Sequence, residues 1–203
     1  MLSTPQFYFL FIAMLSIGIG GLMVTAQLKP VATDFKIGAA AFTVALILTP
    51  LANGSSRILW GWISDYLGRE RTMFTAFLLQ AIFLVAATTL GSTGDVMFVT
   101  LMVLVFLTWG ELYVLFPAVL GDLYGSRNSA QNYSFLYSAK GFASLLGSGI
   151  AATLFEKTGT WNYAFYGSAA LALVSAMMAL FVRRIPLPQK SVAHVVGVQP
   201  TVG

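Results

Sequence analysis

Six apolar stretches, each of at least twenty residues and divided by short polar breaks, leave this chain little choice of solvent. They fall at about 6–28, 37–62, 72–91, 96–120, 131–155 and 161–182. A helix rises about 1.5 Å per residue, so roughly 20 apolar residues cross the hydrocarbon core of a bilayer. Charged residues make up 9% of the chain, against about a quarter in a soluble domain, too few for a surface facing water. No stretch shows the alternation of a barrel strand. Helices follow, because in lipid each backbone N–H and C=O must be paired within its own segment. The expectation is an all-α membrane protein with six transmembrane helices over residues 1–185, then a disordered cytoplasmic tail over 186–203.

The charges orient these spans. Of the eleven basic residues, Arg69, Arg71, Arg127, Arg183, Arg184 and Lys190 lie on one side, and Lys29, Lys36 and Lys157 on the other. The excess marks the first side, with the carboxy terminus, as cytoplasmic. The acids Asp34, Asp65, Glu70, Asp95, Asp122 and Glu156 keep to loops or span ends. Inside the spans remain Arg57, Lys140 and Glu111, and a charge at the bilayer centre costs at least about 2.5 kcal/mol. Function is therefore sought at these three.

Other chemistry is excluded by what the chain lacks. It has no cysteine and a single histidine, His194, in the tail. No metal-ligand spacing, phosphate loop or nucleophile motif is present. Loops of about five residues leave no room for a catalytic domain, so neither an enzyme nor a cofactor is expected. Nor is there a basic array interleaved with aromatics for nucleic acid. The opening "MLSTPQFYFLF" has no basic residue before its apolar run, as expected if Met1 is internal to a longer protein.

The loop after the second span reads "GWISDYLGRER", Gly61 to Arg71. It resembles the cytoplasmic signature of the major facilitator superfamily, a G-x-L-a-D-r-x-G-R-k-x-r pattern between the second and third helices of a repeat. Gly61, Ile63, Ser64, Asp65, Gly68 and Arg69 fit; Tyr66 and Glu70 depart from it. Gly61 and Gly68 permit tight packing and turning, while Asp65, Arg69 and Arg71 can lock helix ends on the cytoplasmic face. The resemblance implies half of a major facilitator fold, built of 3+3 inverted repeats. The motif's place makes it the carboxy-terminal six helices, with an amino-terminal six-helix half missing. From "STPQFYFLF" through "GGLMVTAQLKPVA" to "YSAKG", the chain is similar to the oxalate/formate antiporter family. That family exchanges small carboxylates and carries an arginine in its eighth helix and a lysine in its eleventh, the places of Arg57 and Lys140.

Residue chemistry supports those two positions independently. Lys140 lies nine residues into its span, about 14 Å deep at helical rise, and Tyr133, Tyr137 and Ser144 share its face. Arg57 stands about five residues from the expected end of its span, close enough for a long side chain to snorkel. Upstream, however, Pro50, Asn53 and Gly54 make a turn ill-suited to lipid, and a guanidinium fits a planar carboxylate bidentately. Trp109, Tyr113 and Phe116 fall on one stripe of the fourth span; the resemblance implies that such aromatics line a carboxylate chamber. Glu111 lies off that stripe, as a candidate proton or ion-pair site. Small residues repeat every fourth position at Ser16/Gly20, Ala143/Gly147/Ala151 and Ser144/Ser148/Ala152, which suits close helix packing.

The expected function is a secondary active transporter working by alternating access, with oxalate and formate as partners and the lipid bilayer as solvent. Its location is an integral position in a membrane, the bacterial inner membrane by the resemblance. The substrate-binding candidates are Arg57, Lys140, Trp109, Tyr113 and Tyr137. Open alternatives are a proton-coupled monocarboxylate carrier using Glu111 and, in another class, an anion channel or a non-transporting membrane subunit.

Overall fold

A computed structural model describes residues 1–185. The tail expected to be disordered, with Lys190 and His194, lies outside the described residues, as does the Arg183 side chain. The described chain is helical and has no strand. Its helices are α1 (Pro5–Asp34), α2 (Ala39–Leu67), α3 (Arg69–Leu90), α4 (Asp95–Trp109), α5 (Leu112–Tyr124), α6 (Ser129–Thr158) and α7 (Asn162–Arg184), with one 3₁₀ turn at Gly91–Thr93. Where six unbroken spans were expected, the fourth is two helices, α4 and α5, in line.

The break starts at a local weakness. Gly110, a poor helix former, sits just before Glu111, and Pro117 deprives the Tyr113 carbonyl of its usual donor. Beyond Gly110 the backbone tightens, with Tyr113 N–H donating to Gly110 O at 3.3 Å and Val114 N–H to Glu111 O at 2.9 Å. Glu111 and Leu112 N–H make no backbone hydrogen bond. The released carbonyl of Leu107 accepts the Trp60 indole N–H of α2 at 2.8 Å, so the break is tied to its neighbour.

Five segments, counting α4 and α5 as one, are long and apolar enough to cross a membrane. The exception is α6. At 30 residues, or about 45 Å, it is long enough, but Ser134, Ser138, Lys140, Ser144 and Ser148 dilute its apolar run. The polar helix is the one that carries the lysine.

Packing places that lysine on an open face. Helix α1 sits against α6 and α7, α7 against α3, α3 against α4, and α4 against α2, while α5 touches α2 and α6. The Ala143/Gly147/Ala151 stripe is buried against α1. A β-carbon on Gly147 would stand 2.8 Å from Ile19 O, so that contact needs glycine. The parallel set Ser144/Ser148/Ala152 stays outside it. Helices α2 and α6 keep large apolar side chains uncovered, among them Ile47, Leu51, Ile58 and Trp62 on α2 and Phe142, Leu145 and Ile150 on α6.

The helices also outrun the apolar stretches. Helix α1 continues through Pro30 to Asp34, and α2 continues to Leu67. Arg57 is thus ten residues from the end of α2, about 15 Å, rather than five. Lys140 is eleven residues from the start of α6, at the same side of the bundle. The two cations thus stand at similar distances from their helix ends on one side of the bundle.

Candidate functional site

The α4–α5 break projects Tyr113 between α2 and α6, and both intramembrane cations converge on it. The Arg57 guanidinium carbon lies 4.3 Å from the Tyr113 ring centroid, and Lys140 Nζ lies 4.5 Å from the same centroid. The two charges are therefore at most about 9 Å apart. Lys140 Nζ donates to the Tyr113 hydroxyl and, at 3.1 Å, to the Tyr137 hydroxyl. Tyr137 is three residues back on the same helix face, and its ring is 5.3 Å from that of Tyr133. An open groove of about 460 Å³ runs beside the ammonium, lined by Ser134, Tyr137, Ser138, Gly141 and Ser144.

Arg57 is held less tightly. Its Nη2 reaches Asn53 Oδ1 at 3.5 Å, the limit of a hydrogen bond, and the Asn53 Nδ2 group is buried without a partner. The turn carrying Asn53 and Ser56 presses on the span break, where a β-carbon at Gly110 would run into Ser56 Oγ and Asn53 O. Glycine at 110 therefore brings α2 close enough to set Arg57 over Tyr113.

Arg57, Lys140, Tyr113 and Tyr137 are thus in one constellation, and Trp109 adjoins it, its ring 6.1 Å from Tyr113 and edge-on. The expected stripe does not extend to Phe116, which is fully buried and meets Phe77 of α3 at 6.0 Å. Glu111 is fully buried and forms no ion pair among the described residues. Among the described residues neither carboxyl oxygen has a partner in hydrogen-bond geometry. Both intramembrane cations lack an acidic partner among the described residues.

The loop motif forms a second cluster at the end of α2. Gly68 has φ +86°, a conformation that favours glycine, and turns the chain directly from α2 into α3. Arg69 then reaches back to Asp65 at 2.8 Å and to Ser64 Oγ. Its Nε lies 3.6 Å from Asp122 at the end of α5. Gly61 packs against Val114 of α5, and Arg71 makes no ion pair among the described residues. Asp122 was counted only as a span-end acid. A signal for it was its position, since an acid in the last turn opposes the helix dipole and calls for a cation.

The sequence profile of the Major Facilitator Superfamily matches residues 8–200. The chain belongs to this superfamily. Along nearly the whole chain it is similar to the oxalate:formate antiporter of Oxalobacter formigenes, with 36% identity over 98% of this chain and 47% of that protein. It is 26% identical to YhjX, an MFS-type transporter of Escherichia coli K12, over 70% of this chain and 35% of that one. An apicoplast pyruvate carrier 2 of Toxoplasma gondii is 31% identical over 41% of the chain and 13% of its own length. The chain spans about half the length, or less, of these relatives.

An auto-inhibited peptide transporter of the POT family superimposes with a TM-score of 0.74 at 17% identity, over 92% of this chain and 39% of that one. At that identity the likeness speaks for the fold alone. As a major facilitator, the chain is an integral membrane protein of a transporter family, not an enzyme. In that setting, two cations and two phenol hydroxyls on an uncovered face can bind an anion.

Proposed function

We propose that this chain is the carboxy-terminal six-helix half of a secondary transporter, made of two inverted three-helix repeats, that exchanges oxalate for formate. The observation that carries the reading is the convergence of Arg57 and Lys140 on Tyr113 without an acidic partner. Two like charges at this depth lack a counter-charge, and a dicarboxylate supplies one carboxylate to each. The guanidinium takes its carboxylate bidentately and the ammonium takes the other as a point charge. With the anion gone, the cations repel and oppose closure, so the return step needs another anion. Formate meets that need with one carboxylate. The Oxalobacter relative is named for the same pair.

The uncovered faces of α2 and α6 receive the amino-terminal half in this reading, and the site lies between the halves near the midplane. Trp109 and Tyr137 wall the site, and Asp65, Arg69 and Asp122 hold the cytoplasmic ends of α2, α3 and α5 together when the site opens outward. The membrane is the bacterial inner membrane, with the carboxy terminus in the cytoplasm.

Two measurements test these statements. Vesicles containing the complete protein should take up labelled oxalate only when loaded with formate or oxalate. Uptake driven by a pH gradient in vesicles without internal anion would replace exchange by a proton-coupled carrier. For orientation, single cysteines at Lys29 and Lys157 should react with an impermeant maleimide in intact cells, and one at Arg127 only after permeabilisation. The opposite pattern inverts the topology.

A further inference from the structure

Among the described residues no hydrogen bond or ring contact joins α1 to Arg57 or Lys140, yet one residue on it has no room for a side chain because of the aromatic wall. A β-carbon at Gly21 would fall inside the Trp109 indole, against Nε1, Cε2 and Cδ1. Trp109 is 5% exposed, and its N–H has no partner, so no hydrogen bond fixes the ring. Shape alone holds it. The indole lies between Gly21, Phe106 at 6.0 Å and Tyr113 at 6.1 Å, edge-on to both rings. Nearby glycines of α1 meet other helices: a β-carbon at Gly18 would stand 3.0 Å from Ala143 of α6, and one at Gly20 would stand 3.2 Å from Ser168 of α7. Gly21 alone of these three faces the wall of the candidate site.

We propose that Gly21 is a specificity-determining position. Lacking a side chain, it seats the Trp109 indole against α1 and sets how far the aromatic wall behind Tyr113 stands from Arg57 and Lys140. The inference rests on the carboxylate reading of that site and deepens it. A methyl group at Gly21 must move the indole, because the backbone of a buried helix yields less than a ring does. Phe106 is buried and closely packed, whereas Tyr113 is half-buried beside the open face. The ring therefore yields toward Tyr113, and the site shortens. A dianion with one more methylene loses more than oxalate does.

The test uses the complete protein with oxalate and malonate, which differ by one methylene. Gly21→Ala should raise the preference for oxalate over malonate by about tenfold, the low end of what one methylene is worth at a packed wall. Gly18→Ala, a packing change on the same helix, should lower Tm without moving the preference. In a Trp109→Leu background, Gly21→Ala should change neither the preference nor Tm further, because the two residues act as one unit. An unchanged preference in Gly21→Ala overturns the proposal, and so does the same shift without the indole. Wild-type protein that binds neither acid sinks the carboxylate reading and the specificity role with it. Coupling of the two substitutions in Tm then still decides whether Gly21 seats the ring, and additive losses say that it does not.

Discussion

Lys140→Met in the complete protein should weaken oxalate binding by about 100-fold or more while leaving the protein inserted. Removing one member of a desolvated charge pair costs about 2–5 kcal/mol, and here the other member is the substrate. Methionine has nearly the reach of lysine and suits a span better, so loss of function would not reflect loss of the helix. The two phenols that now accept from Nζ, Tyr113 and Tyr137, can turn their hydroxyls to each other or to water. Formate has one carboxylate and should keep most of its affinity through Arg57. Lys140→Arg retains the charge but widens the head group from a compact ammonium to a planar fork, so it should keep part of the oxalate affinity and alter the preference among dicarboxylates. Paired titrations of oxalate and formate into the purified variants check this. Equal losses for both anions would refute the division of labour, and wild-type oxalate affinity would make Lys140 a structural charge.

How far such an argument can start from sequence depends on whether a contact is made along one helix or between several. The all-helical membrane class followed from apolar length and missing charge, because no other structure satisfies the backbone in lipid. Tyr137 beside Lys140 was equally legible, since residues three apart share a helix face. The turn at Gly68 and the Asp65–Arg69 pair could be read for the same local reason. The end of α2 could not. Loss of apolarity after Trp62 marks where hydrocarbon ends, whereas the helix runs on to Leu67 into the polar zone. The break at Gly110 was hidden because glycine and a later proline are both tolerated in spans; here they act together with the fit of Ser56 and Asn53 against the backbone. Three further contacts, Arg57 over Tyr113, Arg69 with Asp122 and Gly21 under Trp109, join residues 53 to 88 positions apart. Each depends on which helices are neighbours, and periodicity along one helix carries no information about that.

Tyr113 should be the most sensitive neutral position, with a graded response that separates its ring from its hydroxyl. The ring faces the Arg57 guanidinium at 4.3 Å, an attraction of about 1–2 kcal/mol once desolvated. The hydroxyl accepts from Lys140, and a hydrogen bond to a charged group is worth about 1.5–3 kcal/mol. Tyr113→Phe keeps the ring and frees only the lysine, so oxalate affinity should fall by about tenfold. Tyr113→Leu removes both constraints, and a fall of about 100-fold or more is expected from the two together. The direction follows from preorganisation: in the empty site Tyr113 holds both cations at a spacing that a dianion can bridge, and without it each must be ordered at the moment of binding. Trp109 adds a check, because Trp109→Leu leaves both cation contacts of Tyr113 in place and should cost less than Tyr113→Leu. Oxalate dissociation constants for the three variants, with Tm to confirm folding, decide the matter. Equal losses in the phenylalanine and leucine variants would mean that the ring does not hold Arg57. Wild-type affinity in both would reduce Tyr113 to packing, and the two cations would then need no common support to act as one site.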